Sequence, residues 1–90
     1  MMVEIKSFQI KNKLGLHARA TAKLVNITTQ YKSRVFIERD GTEVDGKSLL
    51  SILTLACPKG SWISVKVEGS DATEAMKNLG ELIEDKFGED

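Results

Sequence analysis

The only histidine of this 90-residue chain, His17, stands in the run Lys13-Leu14-Gly15-Leu16-His17-Ala18-Arg19, where a loop gives way to a helix. Backbone N–H groups at a helix start have no intrahelical partners and favour an anion beside them. Imidazole is a nucleophile only when neutral, and a helix start disfavours the cation. The placement therefore suits a ring that takes up and releases a phosphoryl group. Once loaded, the N–H groups of Ala18 and Arg19 are expected to bind phosphate oxygens, and the Arg19 guanidinium to add charge-assisted bonds. Gly15 would let the backbone turn tightly into the site.

Ser48 is the second candidate. It is an N-cap residue ahead of the apolar run Leu49, Leu50, Ile52, Leu53 and Leu55, which has too many apolar side chains for a short one-faced helix. Some of them are expected at the surface as a docking patch, with Lys23, Lys47, Leu49, Leu50 and Leu53 the candidate partner contacts. One histidine and one cysteine at unrelated positions give no metal-ligand spacing, so no metal or cofactor is expected. Cys57 reads as a small buried hydrophobe, and Trp62, on the polar side of its strand, as partly exposed.

The elements that must position these residues follow from periodicity. Val3 to Ile10 reads as a strand whose alternation changes phase between Ile5 and Phe8, and Ala18 to about Gln30 as a helix with Thr21, Leu24, Val25 and Thr28 on one face. Arg34 to Glu38 and Thr42 to Val44 form strands joined by Asp40-Gly41, residues that tolerate the positive φ of a tight hairpin. After the short helix, Pro58-Lys59-Gly60 turns the chain into a strand over Ile63 to Val67. Ser70 to Glu74 then opens a helix with Ala72, Ala75, Met76, Leu79, Leu82 and Ile83 on its buried face, closing near Phe87-Gly88. The order βαββαβα predicts an α+β two-layer open-faced sandwich, a four-stranded antiparallel sheet covered on one face by three helices and wet on the other. Residues 1–90 are expected to form one domain.

Composition narrows the function further. Hydrophobic content of 41% and charged content of 29% are ordinary for a globular protein. No apolar stretch is long enough for a membrane span, the first residues do not read as a signal peptide, and the lone cysteine agrees with a reducing compartment, so the cytoplasm is the expected location. Net charge is zero, yet residues 1–36 carry seven Lys or Arg against Glu4 alone, while residues 71–90 carry seven acids against Lys77 and Lys86. Lys11, Lys13, Arg19 and Lys23 bracket His17 and should attract an acidic or phosphorylated partner. Nucleic acid binding is not expected, because no basic run interleaves with aromatic residues.

Together, Gly15-Leu16-His17-Ala18-Arg19, Gly46-Lys47-Ser48-Leu49-Leu50 about thirty residues on, and Lys59-Gly60 before a strand resemble the HPr family of phosphocarriers of the bacterial phosphotransferase system. The resemblance covers essentially the whole chain. It implies that His17 accepts phosphate on Nδ1 from enzyme I, itself charged by phosphoenolpyruvate, and passes it to an enzyme IIA, as a monomeric carrier rather than an enzyme. It also implies that Ser48 corresponds to the serine that a dedicated kinase, HPr kinase/phosphorylase, modifies in some bacteria. Two positions depart from the pattern. Ala20 stands where the family usually has proline; alanine gives up some of proline's rigidity, keeps helix propensity and adds one more N–H at the helix start. Ser51 stands where a glycine or lysine is common. A branch of the family serves nitrogen or regulatory circuits, so a regulatory binding module is the alternative to a sugar-uptake carrier, and an interaction domain with an incidental His17 is the third reading.

Overall fold

A computed structural model describes residues 2–89. Its elements are β1 (Val3–Gln9), α1 (Ala18–Thr28), β2 (Arg34–Arg39), β3 (Thr42–Asp45), α2 (Leu49–Leu53), β4 (Trp62–Glu68) and α3 (Ala72–Glu84). The strands form one antiparallel sheet in the order β1-β4-β2-β3. The expected α+β open-faced sandwich is the architecture found. Alternation fixes the register: Ile63, Val65 and Val67 of β4 point inward, opposite Val35 and Ile37 of β2, and all five are buried beneath the helices. Asp40 and Gly41 adopt φ of 50° and 86°, so the hairpin between β2 and β3 closes on the two residues expected to accept positive φ.

The phase change in β1 resolves in favour of Phe8. Phe8 is buried while Val3 and Ile5 lie on the open face, Ile5 at 65% exposure. Trp62, paired with Gln9 at the end of the same face, is 62% exposed as expected. The open face is thus less uniformly polar than the alternation of β4 alone suggests.

Two helix ends differ from expectation. Helix α1 stops at Thr28, with Thr29 capping, rather than near Gln30. Helix α3 stops at Glu84, short of Phe87-Gly88, because Lys86 and Phe87 both take φ of 56° and Gly88 takes 74°. Three consecutive left-handed residues turn the chain off the helix axis and drive the Phe87 ring into the core, where it is fully buried. Left-handed backbone costs about 1–2 kcal/mol per non-glycine residue, and burial of a phenylalanine side chain returns about 1.5–3 kcal/mol, so the two nearly offset. At the other end of α3, Asp71 is the N-cap residue, yet its carboxylate accepts from the N–H groups of Lys32 and Ser33 and from the Ser33 hydroxyl. That cluster ties the start of α3 to the entry of β2 and holds the Asp71 carboxyl below the usual carboxylate range, the Ser33 hydroxyl contributing most.

Candidate functional site

The His17 loop is built from hydrogen bonds that reach across the chain. Ile10 donates its N–H to the Ser61 carbonyl (2.8 Å) and accepts from Gly60 (2.7 Å), which anchors the exit from β1. Asn12 is fully buried and donates Nδ2 to the Gly15 carbonyl at 2.6 Å, while Gly15 donates its N–H to the Asn12 carbonyl at 3.1 Å. Gly15 sits at φ 69°, and a Cβ there would lie 2.5 Å from the Cys57 carbonyl oxygen and 2.9 Å from Pro58 Cα. Only glycine meets both demands. Leu16 then donates to that same Cys57 carbonyl at 2.8 Å. The Cys57 segment is in turn held by Arg39, whose Nη1 donates to the carbonyls of Leu55 (2.9 Å) and Ala56 (2.7 Å). Cys57 itself is buried, as expected, and burial pushes its thiol pKa up.

His17 is the N-cap of α1, with extended backbone (φ −73°, ψ 177°), and its carbonyl accepts the first intrahelical bond from Thr21 at 2.9 Å. Its side chain makes no capping bond. The N–H groups of Ala18, Arg19 and Ala20 therefore have no intrahelical partner and remain available to an anion. Ala20 itself is fully buried and faces the core.

The ring is held by a residue with no sequence signal. Beyond the left-handed turn of residues 86–88, the Glu89 carboxylate takes Asn12 Nδ2 at 3.0 Å on one oxygen and meets His17 Nε2 at 2.5 Å with the other. These contacts hold the Glu89 carboxyl below the usual carboxylate range, the Asn12 bond foremost and His17 next among the lowering influences. Glu89 is 72 positions from His17, and only the turn that buries Phe87 brings it there. Nδ1, the other ring nitrogen, has no hydrogen-bond partner among the described residues.

Lys13, Leu14, His17, Ala18, Arg19 and Glu89 line an open depression of about 700 Å³. His17, Ala18 and Arg19 thus stand together on the lining of one depression, and Gly15 belongs to the loop that leads into it. Of the cations that bracket His17 in sequence, Lys11 pairs with Glu84 (2.8 Å) and Lys23 donates to the Phe87 carbonyl (2.7 Å). Lys47 donates to the Tyr31 carbonyl (2.8 Å). Lys13 and Arg19 have no such partner among the described residues and face the depression. Ser48 caps α2, its Oγ accepting from the Ser51 N–H at 3.3 Å, and does not line the depression. Leu50 is 75% exposed, Leu49 37% and Leu14 68%, whereas Leu53 is half-buried and Ile52 and Leu55 are core. The apolar run thus divides between surface and interior. No group of three or more His, Cys, Asp and Glu is placed to hold a metal among the described residues.

A family model described as the PTS HPr component phosphorylation site matches residues 5–85. The chain is 43% identical to the phosphocarrier protein HPr of Neisseria meningitidis serogroup B, over 93% of this chain and 94% of that one. It is 42% identical to the HPr-like protein Crh of Halalkalibacterium halodurans, over 92% and 98%. Among solved structures, an HPr from Thermoanaerobacter tengcongensis matches with TM-score 0.94 and 39% identity, covering 97% of this chain and 98% of that one. A dimer of HPr from the same organism matches at 0.78 and 41%, covering 91% and 94%. The chain belongs to the HPr phosphocarrier family of the phosphotransferase system.

Proposed function

We propose that this chain relays phosphate from enzyme I, charged by phosphoenolpyruvate, to an enzyme IIA through a phosphohistidine at His17. The observation that carries this reading is an imidazole at a helix N-cap that makes no capping bond and stands over unpaired N–H groups at the edge of an open depression. The attacking atom is Nδ1. The N–H groups of Ala18 and Arg19 and the Arg19 guanidinium take the phosphoryl oxygens, and Gly15 sets the loop that presents the ring. Chemistry belongs to the partner enzymes, and this chain is their shared substrate and donor. Leu49 and Leu50, with Leu53 at their margin and exposed Leu14 nearer the ring, form the apolar part of the docking surface. Lys13 and Arg19 supply the positive charge that steers an acidic partner, while Lys23 and Lys47 support the tail and the end of α1. The relay works as a monomer in the cytoplasm, as one domain over residues 1–90, without metal, cofactor, nucleic acid or membrane. Incubation with phosphoenolpyruvate and enzyme I tests it: the protein acquires label, and His17→Ala acquires none.

A second reading is favoured by the likeness to Crh and by the half-exposed Ser48 at the start of α2. In it, a kinase of the HPr kinase/phosphorylase type modifies Ser48 and the chain acts chiefly as a regulatory module. Efficient labelling at His17 without any effect of Ser48 modification on docking argues against it.

A further inference from the structure

The Glu89 carboxylate decides which nitrogen of His17 can attack. An ionised carboxylate only accepts hydrogen bonds, so the nitrogen it meets at 2.5 Å, Nε2, must carry the proton. In the neutral ring the lone pair then lies on Nδ1. We propose that Glu89 is a positioning residue for phosphotransfer, fixing His17 in the Nε2–H tautomer and offsetting the positive charge that develops on the ring when Nδ1 is phosphorylated.

The orientation of Glu89 is itself fixed. Asn12 is buried, and its Nδ2 has two hydrogens with two acceptors, the Gly15 carbonyl at 2.6 Å and Glu89 Oε1 at 3.0 Å, while its Oδ1 is left without a partner. An amide turned the other way would set an oxygen against both acceptors, so the donor demand decides. The tail is pinned upstream by the buried Phe87 ring and by Lys23 on the Phe87 carbonyl at 2.7 Å. The sequence therefore spends two left-handed non-glycine residues, Lys86 and Phe87, on a turn that ends with a carboxylate against the reactive ring.

The step balances without a proton leaving. The Nδ1 lone pair forms the N–P bond, the bond from phosphorus to the donor's leaving group breaks with its electron pair going to that group, and Nε2 keeps its hydrogen. The ring becomes cationic, and the carboxylate on Nε2–H stabilises that charge most as the transfer completes. On handing the phosphoryl group to the acceptor, the ring returns to the same neutral tautomer, ready for the next cycle.

The inference rests on the phosphoacceptor reading of His17, and two substitutions separate the ideas. Glu89→Ala removes the acceptor and frees both tautomers, so transfer from enzyme I slows by about 10- to 100-fold, the span expected for loss of a hydrogen bond to a charged group. Glu89→Gln is predicted to be slower still. Its amide oxygen must face Asn12, which leaves the NH2 group facing Nε2, makes Nε2 the acceptor and moves the ring proton to Nδ1. Nitrogen-15 spectra of the free protein at about pH 8.5, above the ordinary imidazole range, read the tautomer without any partner enzyme. Nε2 should resonate as a protonated nitrogen in the wild type, both nitrogens as averaged in Glu89→Ala, and Nδ1 as protonated in Glu89→Gln. A wild-type ring protonated on Nδ1, or variants that transfer at the wild-type rate, overturns the inference. A wild type that accepts no label removes the phosphoacceptor reading instead, while the spectra still decide the tautomer.

Discussion

Gly15→Ala tests whether the loop beneath His17 works as the geometry says. The new methyl meets two penalties. The residue stays at φ 69°, which costs an L-residue about 1–2 kcal/mol. The Cβ also lands 2.5 Å from the Cys57 carbonyl oxygen and 2.9 Å from Pro58 Cα, both backbone atoms with no flexible end to swing aside. The loop must lift, and the Leu16 N–H to Cys57 carbonyl bond at 2.8 Å stretches or breaks, for about 1 kcal/mol more. The sum is about 2–3 kcal/mol. For a domain of this size each kcal/mol shifts the melting temperature by about 4–8 °C, so a fall of about 10–20 °C is expected by circular dichroism. Because the same lift moves the start of α1, labelling of His17 should slow by at least about tenfold, as a displacement near 1 Å does to a positioned reactive group. A fall below about 4 °C, or an unchanged labelling rate, refutes the idea that Gly15 is required by the Cys57-Pro58 segment.

Phe87→Ala empties a fully buried site and should cost about 3–5 kcal/mol, seen as a large drop in denaturant midpoint, with Glu89 losing its hold on His17 as the tail frees. Asp71 and Glu89 both ionise below their ordinary values of 3.8 and 4.5, so the unfolded chain binds more protons than the folded one across the acid range. Their contributions are complete above those values and vanish as pH falls through the lowered ones. Acid titrations followed by fluorescence of Trp62 should show the wild type losing stability below about pH 4.5, and Asp71→Asn, already less stable at neutral pH, losing less on acidification. Ser48→Asp keeps an N-cap and adds a favourable charge at the start of α2, so thermal stability holds or rises by a few tenths of a kcal/mol. The same charge beside exposed Leu49 and Leu50 should slow transfer from enzyme I several-fold through weaker docking, measured as a raised KM.

Most of the architecture is legible in the sequence because its signals are local. The alternation in β4, the Asp40-Gly41 turn and the Ser48 cap each act over a few residues and each is realised. His17 at the start of α1 is legible for the same reason, since its neighbours Gly15 and Ala18 announce the loop and the helix. Glu89 is not, because nothing near it in sequence speaks of His17. Its place depends on a non-glycine left-handed pair, Lys86 and Phe87, which propensity assigns to helix and only the burial of Phe87 overrides. Lys23 and Lys47 illustrate a related gap. Charge pattern sets them at the surface, but a long side chain can reach a backbone carbonyl, and both do. Asn12 belongs to none of the motifs visible in the sequence, and only its full burial reveals it as the brace between Gly15 and Glu89.

In the proposed relay phosphate travels through His17, and phosphate placement after incubation with phosphoenolpyruvate and enzyme I tests this at the atom concerned. Phosphorus-31 and nitrogen-15 spectra of the product should show a single phosphoryl group on Nδ1 of His17, lost in acid and retained in alkali, and absent from His17→Ala. An acid-stable phosphoryl group, or label that persists in His17→Ala, would contradict the account.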